Sequence, residues 1–204
     1  MRPARTPPPI DAAALNDAAL AYLARYAATE AGLRRVLQRR VDRWTSGQSD
    51  PEATAPALEA ARQAIDGVVA NLVRLGALSD VGFAETRARS LTRAGRSRRA
   101  VQAALVAKGV APDLARDATG DNAGAELAAA LVLARKRRLG PWRAAEPGDM
   151  RAARQRELGV LARAGFDRDT AERALDTERE EADRRIHALR AGQAPPDPSE
   201  AEDM

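Results

Sequence analysis

Hydrophobic residues recur every three to four positions along most of this chain, which is the period of an amphipathic α-helix. Residues 11–28 set the pattern, with Leu15, Ala19 and Leu23 on one face. Helices of this kind are predicted to begin near residues 11, 29, 57, 79, 97, 112, 123, 150 and 167. Strands are built from β-branched and aromatic runs, and aromatic residues make up only 3% of the sequence. The pattern therefore predicts an all-α protein of nine helices.

Three segments flank or interrupt this helical pattern. The stretch 45–56 (TSGQSDPEATAP) is polar and rich in turn-forming residues, so we expect an insertion loop there. Residues 1–10 are rich in proline, residues 191–204 combine proline with acidic residues, and we expect both segments to be disordered. The helix that begins at Asp167 is expected to continue to Leu189, with a highly charged second half that projects into solvent or pairs with itself.

One short pattern occurs three times: a leucine, a glycine four residues later and an aspartate four residues after that. The leucine suits the last turn of a helix, the glycine suits the left-handed position after it, and the aspartate suits the positive end of the next helix. We therefore expect three joints between helices and an elongated string of three-helix modules, each too small to bury a large core alone. The joints are Leu72–Gly76–Asp80, Leu105–Gly109–Asp113 and Leu161–Gly165–Asp169. The modules are expected at 11–78, 79–121 and 122–190.

The formal net charge of +4 conceals an uneven distribution. The segment 191–204 holds four acidic residues and no basic one, whereas six arginines and no acid lie between Arg87 and Arg99. Five bases and no acid lie between Arg135 and Arg143. Guanidinium groups bind phosphates and carboxylates in a bidentate manner, so each run is a candidate binding surface, although a solvated helix face is an equally good interpretation.

The position of two of these arginines favours a functional interpretation. Arg98 and Arg99 fall in the first turn of a predicted helix, where a cation opposes the helix dipole at a cost of a few tenths of a kcal/mol. Such a placement is poor for stability alone, which favours a functional role for the run from Arg87 to Arg99.

Composition excludes several kinds of chemistry. The sequence has no cysteine and one histidine, which rules out disulfides, cysteine-liganded zinc, thiol catalysis and most metal sites. The glycine motifs of phosphate-binding loops, dinucleotide-binding folds and nucleophile elbows do not occur. We therefore expect no enzyme activity, no metal and no cofactor. The longest apolar stretch, 127–134, is too short to cross a membrane and residues 1–10 contain no signal sequence, so a cytoplasmic protein is expected.

The remaining conspicuous side chains favour structural roles. His187 lies in a charged segment and is expected to be an exposed bystander. Phe83 and Phe166 follow predicted joints and are expected to anchor the core. Trp44 and Trp142 adjoin loops and basic residues; packing is the favoured interpretation, and stacking on a nucleobase or a partner stays open.

Three stretches of the sequence resemble the RecX regulatory protein family in order and spacing. Residues 19–41 (ALAYLARYAATEAGLRRVLQRRV) resemble the opening pair of helices of that family. Residues 68–118 (VVANLVRLGALSDVGFAETRARSLTRAGRSRRAVQAALVAKGVAPDLARDA) resemble its central stretch, and residues 157–175 (ELGVLARAGFDRDTAERAL) its closing module. Two positions depart from the pattern: Ala77 stands where an aromatic residue is expected, and Val41 stands where a glycine ends the second helix.

The resemblance implies an all-α protein of three-helix repeats that lies along the groove of the RecA–DNA filament. Proteins of this family restrain the ATPase, strand-exchange and repressor-cleavage activities of RecA, and so act in recombination, DNA repair and the SOS response. The alternative is a non-catalytic helical protein that binds nucleic acid through the same arginines. In both cases we expect a monomer. The expected contacts are first Arg87, Arg89, Arg93, Arg96, Arg98 and Arg99, and second Arg135, Lys136, Arg137 and Arg138.

Overall fold

The chain folds into α-helices joined by short turns. The structure, a computed structural model, describes residues 10–48, 50–144 and 148–193, and these ranges contain no β-strand, which confirms the all-α prediction. A 3-10 helix, Gly140–Trp142, follows the seventh α-helix. The α-helices are α1 (Ala12–Leu23), α2 (Glu30–Thr45), α3 (Pro51–Arg74), α4 (Asp80–Arg93), α5 (Arg98–Lys108), α6 (Pro112–Thr119), α7 (Ala123–Arg137), α8 (Met150–Arg163), α9 (Arg168–Asp176) and α10 (Arg179–Ala191).

Short polar side chains set the starts of most of these helices. In each case a side-chain oxygen accepts a hydrogen bond from a backbone N–H of the first turn, which satisfies a donor that the helix itself leaves unpaired. The residues that cap a helix in this way are Asp11, Thr29, Asp50, Ser79, Ser97, Asn122, Asp149 and Asp167.

The third helix starts earlier than the sequence pattern predicts. The side chain of Asp50 accepts hydrogen bonds from the N–H groups of Glu52 and Ala53 at 3.0 and 3.1 Å, so the helix begins at Pro51. Pro56, which we expected to lie in a loop, is inside the helix. The predicted insertion loop 45–56 is therefore wrong over 51–56, because an aspartate followed by proline is a helix start as much as a turn.

The charged C-terminal helix is two helices, and the second is packed. Thr177 has extended backbone angles (φ −63°, ψ 132°), which end α9. Helix α10 then packs against α7 through Ala182, Ile186 and Leu189, all buried. The expectation of one helix that projects into solvent is wrong, because these three residues form an apolar stripe at helical spacing that its charged neighbours conceal. The helix continues to Ala191, so the expectation of disorder over 191–204 is wrong at its start; residues 194–204 lie outside the described part of the chain.

The chain divides into two compact units. Unit 1 comprises residues 1–83 and 108–110, and its core forms where α1, α2 and α3 pack together. Ile10, which we expected to be part of a disordered segment, is buried in this core; residues 1–9 lie outside the described part of the chain. The fully buried side chains of this core are Leu15, Ala19, Leu33, Leu37, Val41 and Val69.

Unit 2 comprises residues 84–107 and 111–204, and α7 is its central element. Residues 127–132 are buried on every side of this helix, which packs against α9 and α10. Trp142 and Phe166 belong to the same core, as expected of packing residues. Val81 of α4 and Ala162 of α8 lie outside the core and are exposed. The two units do not coincide with the three expected modules, whose boundaries stay a prediction.

The three predicted glycine joints adopt the predicted backbone conformation. Gly76, Gly109 and Gly165 have φ values of 70°, 97° and 95°, in the left-handed region that other residues avoid. A Cβ atom at Gly76 would meet nothing within 4 Å, whereas at Gly109 it would lie 2.5 Å from Cβ of Ala31. The second and third joints are thus sites of close packing as well as of chain reversal.

In unit 1, the start of α2 is held by two other helices. Thr29 caps α2 and is buried, and its hydroxyl donates a hydrogen bond of 2.7 Å to the carbonyl of Lys108 at the end of α5. The next N–H, that of Glu30, donates to the carboxylate of Asp80 at 2.8 Å. The joint aspartate therefore sits at the positive end of α2, where its charge is favourable.

The same arrangement recurs in unit 2, at the start of α5. Ser97 caps α5, is fully buried, and donates a hydrogen bond of 2.7 Å to the carbonyl of Ala164 at the end of α8. The next N–H, that of Arg98, donates to the carboxylate of Glu126 at 2.8 Å. A Cβ atom at Gly165 would lie 2.6 Å from Oγ of Ser97. The two units thus use the same pattern of hydrogen bonds between helix ends, built from different residues. The pattern centred on Ser97 holds the arginine-rich start of α5.

Candidate polyanion-binding surface

The central arginine cluster lies on α4, on the start of α5 and on the turn between them. Ala84 and Ala88 face the interior, which leaves the basic positions of α4 outside. The exposed members are Arg87, Arg89, Arg93, Arg96 and Arg99, and Arg98 is half-buried. All six belong to unit 2, so the structure brings the predicted first-rank residues into one unit.

Three of these arginines have unpaired side chains. The guanidinium groups of Arg87, Arg96 and Arg99 are exposed and make no hydrogen bond or ion pair with the part of the chain that the structure describes. Their guanidinium groups are available for an acidic partner, and a bidentate contact with phosphate or carboxylate needs no prior pair to be broken.

Arg89 and Arg93 make contacts that leave them accessible. The guanidinium of Arg89 lies 3.9 Å from the Glu85 carboxylate, one helical turn earlier, and both side chains are more than half exposed. Such a pair is weak in water. Nε of Arg93 donates a hydrogen bond of 3.3 Å to the carbonyl of Leu189, in the last turn of α10. Arg93 therefore lies beside the point where the chain leaves α10.

Arg98 differs from its neighbours because the fold uses it. Its guanidinium pairs with Asp121, in the turn before α7, and lies 3.4 Å from the carbonyl oxygen of Gly120. The hydrogen bond to Asp121 raises the pKa of Arg98 above its ordinary value. This residue joins the start of α5 to the start of α7, which the sequence could not reveal since the partners are more than 20 residues away.

The expected electrostatic cost at the start of α5 is offset by a half-buried acid, Glu126. The carboxylate of Glu126 accepts the N–H of Arg98, so the helix dipole faces a negative group from α7. Burial raises the pKa of Glu126, while the Arg98 N–H and the Arg98 charge act in the opposite direction. The placement of Arg98 and Arg99 at the start of a helix is therefore no argument for function. The argument for including Arg99 in the candidate surface is the exposure of its side chain.

The second cluster is divided between structural and available residues. Arg135 pairs with Asp183 at 3.2 Å, and Nζ of Lys136 donates a hydrogen bond of 2.6 Å to the carbonyl of Ala94. Arg137 and Arg138 are exposed and unpaired within the described residues. Lys136 links the end of α7 to the end of α4, so the two basic runs meet in unit 2.

A cleft of about 320 Å³ adjoins the central cluster. Arg89, Arg93 and Thr119 line it together with Gly192 and Gln193, which follow α10. Thr119 and Gln193 were not among the predicted site residues, because only tertiary packing brings them to α4. The cleft is open and carries two guanidinium groups, which suits an extended acidic ligand.

A second cleft lies in unit 1, between α1 and α2. Its volume is about 640 Å³, and Arg40, Arg43 and Trp44 line it beside Asp17 and small apolar residues of α1. Trp44 is half-buried and packs against the core of the unit, as the packing interpretation requires. His187 is exposed on α10, in agreement with a bystander.

The exposed guanidinium groups of the described residues can bind anions electrostatically. No group of three or more His, Asp or Glu side chains in these ranges is arranged to hold a metal ion. Nor does any helix within them have the length and apolarity that a membrane span requires.

Comparison with known proteins relates this chain to one protein family. A model of the second three-helix domain of RecX matches residues 79–118, which contain the whole central cluster. The chain is 41% identical over 165 residues to the regulatory protein RecX of Myxococcus xanthus, which covers 80% of this chain and 84% of that protein. It is 37% identical over 107 residues to the regulatory protein RecX of Agrobacterium fabrum, covering 52% of this chain and 56% of that protein.

The fold is also similar to a solved structure. The crystal structure of RecX from Lactobacillus salivarius superposes with a TM-score of 0.62 and 19% identity, covering 85% of this chain and 97% of that one. This likeness supports an architecture of tandem helical modules. The extent and identity of the sequence match lead to one conclusion: the chain belongs to the RecX family of regulatory proteins.

Proposed function

We propose that this protein binds the RecA–DNA filament along its groove and inhibits the ATPase, strand-exchange and coprotease activities of RecA. The observation that carries the proposal is the acid-free arginine cluster, whose members Arg87, Arg96 and Arg99 are exposed and unpaired within the described residues. A nucleoprotein filament presents phosphates and acidic side chains together, and a basic surface is steered to such a target by long-range attraction. The protein acts as a bound ligand of the filament, without chemistry of its own.

The contacts that we propose follow the structural roles of the arginines. Arg87, Arg96 and Arg99 make the primary contacts, and Arg89 and Arg93 contribute from the adjoining cleft. Arg137 and Arg138 form the second contact group. Arg98, Arg135 and Lys136 hold helix ends together, so they support the surface more than they touch the partner.

Binding to filaments and to free DNA can be compared directly. Fluorescently labelled protein is titrated with RecA assembled on single-stranded DNA, and separately with the same DNA alone, at several salt concentrations. The proposal expects filament binding at concentrations that leave free DNA unbound, with an affinity that falls as salt rises. Equal affinity for free DNA, with no preference for the filament, contradicts it.

The alternative, a plain nucleic-acid-binding protein, has one observation in its favour. Trp44 lies in a cleft with Arg40 and Arg43, and an aromatic ring beside two guanidinium groups suits a stacked base with its phosphates. Under this alternative, Trp44→Ala weakens binding to free single-stranded DNA and Arg96→Ala has a similar effect. Under the filament proposal, Trp44→Ala leaves filament affinity unchanged.

A further inference from the structure

The chain leaves its last helix inside the cleft that Arg89 and Arg93 line. Gly192 ends α10 in the left-handed conformation (φ 78°), which turns the backbone, and Gly192 and Gln193 form part of the cleft wall. The hydrogen bond from Arg93 to the carbonyl of Leu189 holds this end of α10 at the arginine face of α4. Residues 194–204 therefore begin at the cationic cleft.

The charge of this segment is opposite to that of the cleft. Residues 194–204 contain Asp197, Glu200, Glu202 and Asp203 and no basic residue. The cluster from Arg87 to Arg99 contains six arginines and no acid. The acidic segment therefore follows directly on Gln193, which lines the same cleft as Arg89 and Arg93 of the acid-free arginine run.

The distances along the chain favour contact within one molecule. Asp197 lies four residues beyond Gln193, and four residues span at most about 14 Å, so its carboxylate can reach the guanidinium groups of the cleft. A short connection of this kind gives the tethered acids an effective concentration on the order of millimolar near the arginines. Weak individual pairs are sufficient to occupy a cleft at that concentration.

We infer that the acidic segment 194–204 occupies the cleft of Arg89 and Arg93 and competes with the polyanionic partner for the central arginine cluster. The effect of the segment on affinity rests on the proposed function, because that function makes the arginine cluster the binding surface. The contact between the segment and the cleft is independent of the proposed function. The segment acts as a built-in competitor that lowers the apparent affinity and sharpens the preference for a target dense enough in charge to displace it.

Contact with the cleft is tested by cross-linking in the full chain. Carbodiimide joins a carboxylate to a neighbouring amine, and Arg89→Lys places an amine in the cleft with its charge kept. We expect mass spectrometry to find peptides that join position 89 to Asp197 or Glu200 in the monomer band. The matched control is Arg156→Lys on α8, an exposed position that does not line the cleft. Equal yields at the two positions, or cross-links found only between two copies, overturn the inference.

The competition is tested by neutralising the segment. The variant Asp197→Asn, Glu200→Gln, Glu202→Gln, Asp203→Asn keeps its length and removes its charge. At low salt we expect this variant to bind RecA filaments roughly fivefold more tightly, with the difference lost at high salt. Cross-links without a change in affinity overturn the competition and count against the arginine cluster as the binding surface. A change in affinity without cross-links in the cleft overturns the assigned contact and leaves the proposed function standing.

Discussion

The hydroxyl of Ser97 donates a hydrogen bond of 2.7 Å to the backbone carbonyl of Ala164, and thereby joins the start of α5 to the end of α8. The same oxygen accepts the N–H of Ala100, so one buried atom satisfies two helix ends. Thr29 makes the equivalent pair of bonds in unit 1, to Lys108 and Gly32. The start of α5 carries Arg98 and Arg99, so this joint positions part of the candidate surface.

Replacement of this hydroxyl is expected to destabilise unit 2. Ser97→Ala removes the helix cap and leaves the Ala164 carbonyl without its partner, for a loss of about 2 kcal/mol in the free energy of unfolding. Urea unfolding followed by circular dichroism at 222 nm measures the change. Ser90→Ala, at an exposed position on α4, is the matched control and is expected to change stability by less than about 0.5 kcal/mol. Equal effects of the two variants contradict the joint.

Alanine at the joint glycines is expected to separate backbone strain from close packing. Gly76→Ala introduces the strain of a left-handed conformation alone, at a cost of about 1–2 kcal/mol. Gly165→Ala carries the same strain and also brings a methyl group to 2.6 Å from Oγ of Ser97. We expect it to cost about 2 kcal/mol more than Gly76→Ala in urea unfolding. If the two variants are equally stable, the third joint is not closely packed.

Arg98 and Arg96 are expected to have opposite phenotypes although they lie two residues apart. Arg98→Ala breaks the pair with Asp121 and lowers the free energy of unfolding by up to about 1 kcal/mol, because the pair is partly exposed. Its effect on filament affinity is expected to be less than twofold. Arg96→Ala leaves stability unchanged and weakens filament binding several-fold. The same two measurements on both variants decide this, and a loss of filament affinity confined to Arg98→Ala reverses the assignment.

The raised pKa of Glu126 makes a specific contribution to the pH dependence of stability. Because burial raises the pKa of this acid in the folded state, the folded protein binds more protons than the unfolded chain just above the ordinary glutamate pKa. The stability that Glu126 contributes is therefore fully present below the ordinary pKa of glutamate. It is lost as the pH rises through the higher pKa that Glu126 has in the folded protein. Glu126→Gln removes this dependence and retains an oxygen that accepts the N–H of Arg98.

The difference between the two proteins measures the effect without interference from other carboxylates. Unfolding free energies of wild type and Glu126→Gln are determined from pH 4 to 7. The variant is expected to gain stability relative to wild type as the pH rises across this range. A constant difference, or one that changes in the opposite direction, contradicts a raised pKa.

Helical period and glycine spacing predicted most of the fold because both are local properties. Leu33, Leu37 and Val41 are buried on one face of α2 as their spacing requires. The three joint glycines adopt positive φ because the pattern of leucine, glycine and aspartate encodes a helix end in nine consecutive residues. The start of α3 was missed because Asp50–Pro51 suits a turn and a helix start equally well.

The candidate surface was predicted less completely, since its properties depend on contacts across the fold. Sequence located the arginines, and their exposure followed from the buried face of Ala84 and Ala88. The pair between Arg98 and Asp121 spans 23 positions, and the bond from Lys136 to Ala94 spans 42. No local pattern indicates such partners, so sequence could not separate the structural arginines from the available ones.

We propose that the exposed arginine cluster brings this protein to the RecA filament, and that the bound protein restrains RecA. DNA-dependent ATP hydrolysis by RecA, titrated with this protein, tests partner and effect together. We predict that wild type inhibits hydrolysis, and that Arg87→Glu, Arg96→Glu, Arg99→Glu together abolish inhibition with helical circular dichroism retained. The control Arg151→Glu, Arg156→Glu, Arg179→Glu makes the same change of charge at exposed positions outside the cluster and is expected to inhibit like wild type. The proposal is contradicted if the wild-type protein leaves ATP hydrolysis unchanged at saturating concentration. It is also contradicted if the two triple variants inhibit hydrolysis equally.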